Sequence, residues 1–245
     1  FSGSPTATIV KHGNPCGAAQ AKDISSAFEK ALACDPVSAF GGIIALNMKC
    51  DMATAQKITS FFNEVVVAPA YEKDALDELK KKKNLRILEL QQPEWDGLQL
   101  RQIAGGMLAQ EKDRFSQIKF EAKTQEKITK EEMEDLVFAW KIAKNVKSNA
   151  IVIAKGKATV GIGGGLPSRV DATELAIKKA GGRARGAVLA SDAFFPFKDS
   201  VEAIAMAGIV AVVEPGGSVN DSEVIEAARK ARVALYFTGQ RHFRH

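Results

Sequence analysis

The strongest constraint on the fold is a regular alternation of short, β-branched apolar runs with longer segments of helical periodicity. Thr6 to Val10 reads as a buried strand ending at Lys11, and Ile24 to Ala33 places its apolar residues at helical spacing. Gly41 to Leu46 reads as a glycine-led strand, Ala53 to Phe62 as a helix, and Val65 to Ala68 as a strand stopped by Pro69. Tyr71 to Lys83 is a charged helix and Leu85 to Leu88 a further strand. The second half repeats the theme. Lys130 to Asn145 is a long amphipathic helix, and Ala150 to Ala154 pairs with Ala158 to Ile162 about the turn Lys155-Gly156-Lys157. Helices over 171–180, 199–207 and 221–231 then alternate with strands over 187–190, 209–213 and 233–237. Such alternation predicts an α/β layered fold. The polar, turn-rich stretch 91–97 and a new unit opening at Arg101 to Gly106 put a boundary near residue 100. Two lobes are expected, 1–100 and 101–245, with part of 171–190 able to return to the first.

The balance of 46% hydrophobic and 26% charged residues over 245 positions suits a globular chain with a sizeable core. The net charge of +5 favours small anionic ligands such as phosphates and folate carboxylates. Its densest run, Lys80 to Lys83, reads as a solvated helix end, and without interleaved aromatics it argues against nucleic acid. Cys16, Cys34 and Cys50 are odd in number and lack CxxC spacing, so neither a disulfide framework nor zinc is expected and a reducing cytoplasm fits. No apolar run approaches the roughly 20 residues that cross a bilayer, so no membrane association is expected. The chain starts at Phe1 rather than Met, which predicts a fragment or processed piece.

Chemistry concentrates in a few loops. The three histidines sit in Lys11-His12-Gly13-Asn14-Pro15-Cys16-Gly17 and in Arg241-His242-Phe243-Arg244-His245. His12 follows a strand, where open α/β sheets place ligands, and Gly13, Pro15 and Gly17 predict a tight turn there. A neutral imidazole can serve as general base, and the adjacent Lys11 ammonium can stabilise an oxyanion. Pro15-Cys16 has half of a zinc deaminase signature but neither its second cysteine nor an H-x-E. Gly161 to Arg169 is a glycine-rich loop between strand and helix, able to hold an anion without being a Walker motif. Ser191 to Asp199 sets three phenylalanines between carboxylates, and the proline within it prevents all three from burying on one strand face, leaving a slot for a flat ring. Glu214 to Ser218 reads as a structural turn.

In order along the chain, Lys11 to Gly17, Ser38-Ala39-Phe40-Gly41-Gly42, Lys147-Ser148-Asn149-Ala150, Ser168-Arg169-Val170, Ala190 to Phe197, Pro215-Gly216-Gly217 and Arg241 to His245 resemble the AICAR transformylase part of bifunctional purine biosynthesis proteins. The resemblance spans residues 11–245. It implies transfer of a formyl group from 10-formyltetrahydrofolate to the amine of AICAR, with His12 as base and Lys11 as its electrostatic partner. It also implies AICAR contacts at Gly41, Glu64, Asn149, Phe194, Arg241 and Phe243, and folate contacts at Phe40, Ser168, Arg169, Val170, Pro196, Phe197 and Asp199. Further implications are two cytidine-deaminase-like, three-layer lobes, a homodimer with shared active sites, and potassium at Asp192. Members carry an upstream Arg-Tyr-Gly-Glu-Asn-Pro-His-Gln motif and a cyclohydrolase domain that this sequence does not contain. A second expectation is therefore a catalytically impaired nucleotide- and folate-binding piece. Leu166 stands where many members have a polar residue, which argues against a folate contact from that position.

Overall fold

The computed structural model describes residues 3–91, 97–113 and 119–245. Among them one mixed sheet of eleven strands carries most of the chain. Its first half contains β1 (Thr6–Lys11), β2 (Asn14–Gln20), β3 (Ile43–Leu46), β4 (Val65–Ala68) and β5 (Arg86–Glu89). Its second half contains β8 (Glu121–Ala122), β9 (Ile151–Lys155), β10 (Ala158–Gly163), β11 (Val188–Ser191), β12 (Ala211–Glu214) and β13 (Ala234–Phe237). The spatial order is β5-β4-β3-β1-β2-β10-β9-β11-β12-β13-β8, and the halves join where Ala158 pairs with Ala19. The segment 92–96, where the turn-rich boundary falls, lies outside the described residues.

The helices begin where side chains cap them. Asp23 accepts from Ser26 N ahead of α1 (Ile24–Leu32), Asp35 from Ser38 N ahead of the short α2 (Pro36–Ala39), and Asp51 from Thr54 N ahead of α3 (Met52–Thr59). Thr129 and Glu132 form a capping box at α5 (Lys130–Ala143). The remaining helices are α4 (Lys73–Lys80), α6 (Arg169–Ala180), α7 (Asp199–Met206) and α8 (Asp221–Ala231).

Layering differs between the halves. In the second half, strand residues alternate between two cores. Val152, Ala154, Val188, Ala190, Ala211 and Val213 pack with α5, whereas Ile151, Ile153, Leu189, Val212 and Leu235 pack with α6, α7 and α8. Both faces are covered, as near-continuous apolar strands require. In the first half, Ile9, Ile44 and Val66 pack against α1, α3 and α4, while Ile43 on the opposite face of β3 is 42% exposed. Three layers therefore hold only for the second half of the described sheet. The first is two-layered, because no described helix lies over the Ile43 face.

Two expectations from composition change. Asn14 to Gly17 is not a continuation of the turn but the start of β2, paired with β1 down to Lys11 against Asn14. Residues 98–111 form a separate antiparallel hairpin of β6 (Leu98–Ile103) and β7 (Gly106–Glu111), exposed along its whole length. Near the first half, Arg183 Nη2 donates to Cys34 O at 3.1 Å and Lys179 pairs with Asp35 at 2.8 Å, so the end of α6 and the turn after it reach across the junction.

Candidate active site

The strand registers bring Lys11, Asn14, Ile43, Val65, Ile151, Gly163, Ser191 and Glu214 to one end of the sheet. In the second half this is the carboxyl end of β11, β12 and β13, the edge where open α/β sheets bind ligands. A cleft of about 470 Å³ opens there. The predicted folate residues Ser168, Arg169, Val170, Pro196, Phe197 and Asp199 line it. So do the predicted AICAR residues Asn149, Phe194, Arg241 and Phe243. Lys11, His12, Phe40, Gly41 and Glu64 stand outside that lining.

Beneath the cleft lies a buried charge network. Asp192 is fully buried, and its Oδ1 accepts from Arg169 Nη1 at 2.6 Å and from Ala150 N at 3.1 Å. Its Oδ2 accepts from the Ser148 hydroxyl at 2.5 Å. Arg169 also donates to Ser191 Oγ at 2.8 Å and to Asn149 Oδ1 at 2.6 Å. Asn149 Nδ2 in turn donates to the carbonyls of Leu166 and Pro167 at 3.0 and 2.8 Å. Each described partner of the Asp192 carboxylate is a hydrogen-bond donor, and one is a guanidinium. That donor set does not fit a potassium ion, which needs oxygen lone pairs turned inward and no competing cation. Arg169, expected as a folate contact, has its guanidinium committed to protein acceptors, so it borders the cleft chiefly as a brace.

Above this floor the aromatic run divides as its proline requires. Phe195 is fully buried, Phe194 half-buried and Phe197 exposed. The Arg241 guanidinium sits 4.9 Å from the Phe194 ring centroid, a cation–π contact that anchors the C-terminal tail over the cleft. Asp199 opens α7 with its carboxylate accepting from Ser200 N at 2.7 Å, exposed at the rim.

Sequence reasoning missed Glu214. It ends β12 fully buried, with Oε2 accepting from Gly216 N at 3.0 Å. Burial pushes its carboxyl up to about 8, and the charge of Asp221 adds to the rise, while amide hydrogen bonds from Gly216 and Phe195 oppose it. Its bond from Gly216 N ties the Pro215-Gly216-Gly217 turn back to the end of β12. A glutamate closing the apolar run Ile209 to Val213 was the available signal.

The remaining residues cluster on the first half of the same sheet end. His12 and Gly13 form the two-residue turn between β1 and β2, both at positive φ, 52° and 76°. A non-glycine residue there is strained, and such strain concentrates at functional positions. The His12 side chain is exposed. Lys11 Nζ is fixed by donation to Phe40 O at 2.5 Å. Gly41 has φ of +72°, and a Cβ there would come within 3.4 Å of the Phe62 ring and 3.9 Å of Lys11 Nζ. The Phe40 and Phe62 rings meet in a tilted contact, 5.2 Å between centroids and 47° between planes. Glu64 faces Arg86 at 3.4 Å, exposed at the start of β4. A hydrogen bond ties this cluster to the cleft: Asn14 Oδ1 accepts from Lys147 N at 2.8 Å, two residues before Asn149.

A family model described as the AICARFT/IMPCHase bienzyme matches residues 1–179. The chain belongs to the AICARFT/IMPCHase bienzyme family. Bifunctional purine biosynthesis protein PurH of Thermoanaerobacter sp. (strain X514) is 53% identical over 98% of this chain and 48% of its own length. PurH of Aquifex aeolicus (strain VF5) is 48% identical over 100% of this chain and 49% of its own length. The chain thus spans about half the length of the curated relatives it matches. Acinetobacter baumannii RibD, form 2, overlaps 43% of this chain and 34% of its own at 18% identity and a TM-score of 0.32, too partial an overlap to inform the site.

Proposed function

We propose that this chain performs the transformylase half of the family's chemistry, moving a formyl group from 10-formyltetrahydrofolate to the amine of AICAR in purine biosynthesis. The observation that carries this reading is the cleft itself, which gathers Asn149, Phe194, Arg241 and Phe243 with Ser168, Val170, Pro196, Phe197 and Asp199 from four separated stretches of sequence. Aromatic and aliphatic walls suit flat heterocycles, and Arg241 offers a cation to an anionic group. Gly41 and Glu64 complete the AICAR contacts from the first half of the sheet, and Phe40 the folate contacts. Asp199, at a helix N-terminus on the rim, accepts hydrogen bonds from the pterin.

The amine lone pair attacks the formyl carbon, forming a carbon–nitrogen bond and a tetrahedral oxyanion. His12 takes the amine proton, and the Lys11 ammonium, aimed by its bond to Phe40 O, stabilises the oxyanion. Collapse breaks the bond from the formyl carbon to N10 of the folate, and His12 returns the proton to that nitrogen. Zinc takes no part in this scheme, and no step runs through potassium.

The same reading includes a division near residue 100 into two cytidine-deaminase-like lobes, a cytoplasmic location and a homodimer with shared sites, without nucleic-acid or membrane partners. No described helix is long and apolar enough to cross a membrane. Support for the dimer comes from the β6–β7 hairpin. Its cross-strand pairs put Leu98, Leu100, Met107 and Ala109 on one exposed face, with Gln102 and Glu111 beside them, an apolar patch with a polar rim of the kind a partner subunit covers. The test is calorimetry with AICAR and with a folate analogue, run beside a formyl-transfer assay on the full-length protein. Binding of both with turnover is expected; turnover with neither ligand bound, or binding without turnover, contradicts the reading.

A further inference from the structure

The tail residues 241–243 alternate in direction. Arg241 and Phe243 line the cleft, whereas His242 between them turns into the protein and is 1% exposed. Its imidazole lies against Trp140 of α5, 5.0 Å between ring centroids. Nδ1 is 2.7 Å from Asp113 Oδ2, and because a carboxylate only accepts, Nδ1 carries the proton. The His242 backbone N–H donates to Asp192 O at 3.0 Å. Residues 240–245 belong to no strand or helix, and beyond that bond their end is tied at Arg244, whose carbonyl accepts from Ser148 N at 2.9 Å and whose N–H donates to Ser148 Oγ at 3.2 Å. A terminal segment of that kind frays unless it is docked.

Asp113 follows β7, the second strand of the exposed hairpin, and neither it nor His242 lines the cleft. Its other carboxylate oxygen faces Lys144 Nζ at 3.6 Å. One side of the contact is therefore half-exposed and anchored to α5, while the other is desolvated, which strengthens a charge-assisted hydrogen bond.

We propose that Asp113 and His242 form a latch that holds Arg241 and Phe243 in the cleft, making both of them positioning residues for ligand binding. The inference rests on the reading that this cleft takes AICAR and folate. It assigns a role to the histidine that formyl transfer leaves unused, and it ties the hairpin segment to the site.

The test compares Asp113→Ala with Asp113→Asn in the full-length protein, the latter keeping an acceptor oxygen for Nδ1–H. A latch predicts that KM for AICAR rises about tenfold in Asp113→Ala, with kcat within about twofold, and largely recovers in Asp113→Asn. A merely stabilising contact would lower the melting temperature and leave KM unchanged well below it, and that result overturns the proposal. An independent readout is acrylamide quenching in a Trp95→Phe background, where Trp140 is the remaining tryptophan of residues 1–245 and the change on Asp113→Ala is read against that background. Asp113→Ala is expected to expose Trp140 to quenching, and an equally shielded Trp140 would overturn the latch. If the wild-type protein shows no formyl transfer, the functional reading fails, and the quenching experiment still decides the latch.

Discussion

The two halves of the sheet meet the same ligand edge in opposite ways. In the second half, both strand faces are covered and the floor of the cleft is a saturated network in which Arg169, Asp192, Asn149 and Ser148 use one another's polar atoms. In the first half, one face is open, His12 projects from a strained turn into solvent, and Lys11 is held by a single backbone carbonyl. Groups that must exchange protons or stabilise a transient charge need access and unspent hydrogen-bonding capacity. Groups that set geometry need the reverse. On the proposed function, the second half orients the ligands and the first carries the reacting groups.

That contrast can be broken most forcefully at Asp192. Asp192→Ala leaves the Arg169 guanidinium buried without its carboxylate and should cost about 3–5 kcal/mol in denaturant unfolding. The matched change on the open half, Glu64→Ala, removes an exposed pair and should stay within about 1 kcal/mol. Equal losses at the two sites would erase the distinction.

Glu214 gives a pH signature confined to the second half. Its carboxyl is raised in the folded state to about 8, so the folded protein holds a proton that the unfolded chain releases above the ordinary glutamate range. The stabilising neutral form is fully present below that range, and stability falls as pH rises towards 8, by at most about 1.4 kcal/mol per pH unit. Glu214→Gln, neutral at every pH, should flatten this slope in melts between pH 5 and 8. An unchanged slope would show that Glu214 is not the group responsible. The smallest expected effect is on the open half: His12→Gly relieves a positive φ and should stabilise by up to about 1 kcal/mol while removing turnover. Loss of stability there would mean that His12 is a packing residue.

Much of the fold was legible in the sequence. The runs at Val65 to Ala68 and Ala150 to Ala154 announced strands because their apolar content exceeds what a surface loop can expose. β2 was not legible, because Gly13-Asn14-Pro15-Cys16-Gly17 has turn composition. Its extended state comes from pairing with β1 and from α1 closing over Gly17, where a Cβ would sit 2.0 Å from Ala31 O. The site divided similarly. Asn149, Phe194, Arg241 and their neighbours were nameable from ordered motifs, whereas the commitment of Arg169 to Asp192 and the burial of Glu214 are decided by strands distant in sequence. Burial of a charge is a tertiary property, and local spacing does not encode it.

The division of labour between the halves is tested most directly by His12→Ala in the full-length protein, with formyl-transfer turnover and AICAR binding measured side by side. Turnover should fall by about 10²–10⁴-fold, as for loss of a general base, with AICAR affinity unchanged to within a few-fold. Near-normal turnover, or a loss fully explained by weakened binding, would contradict it.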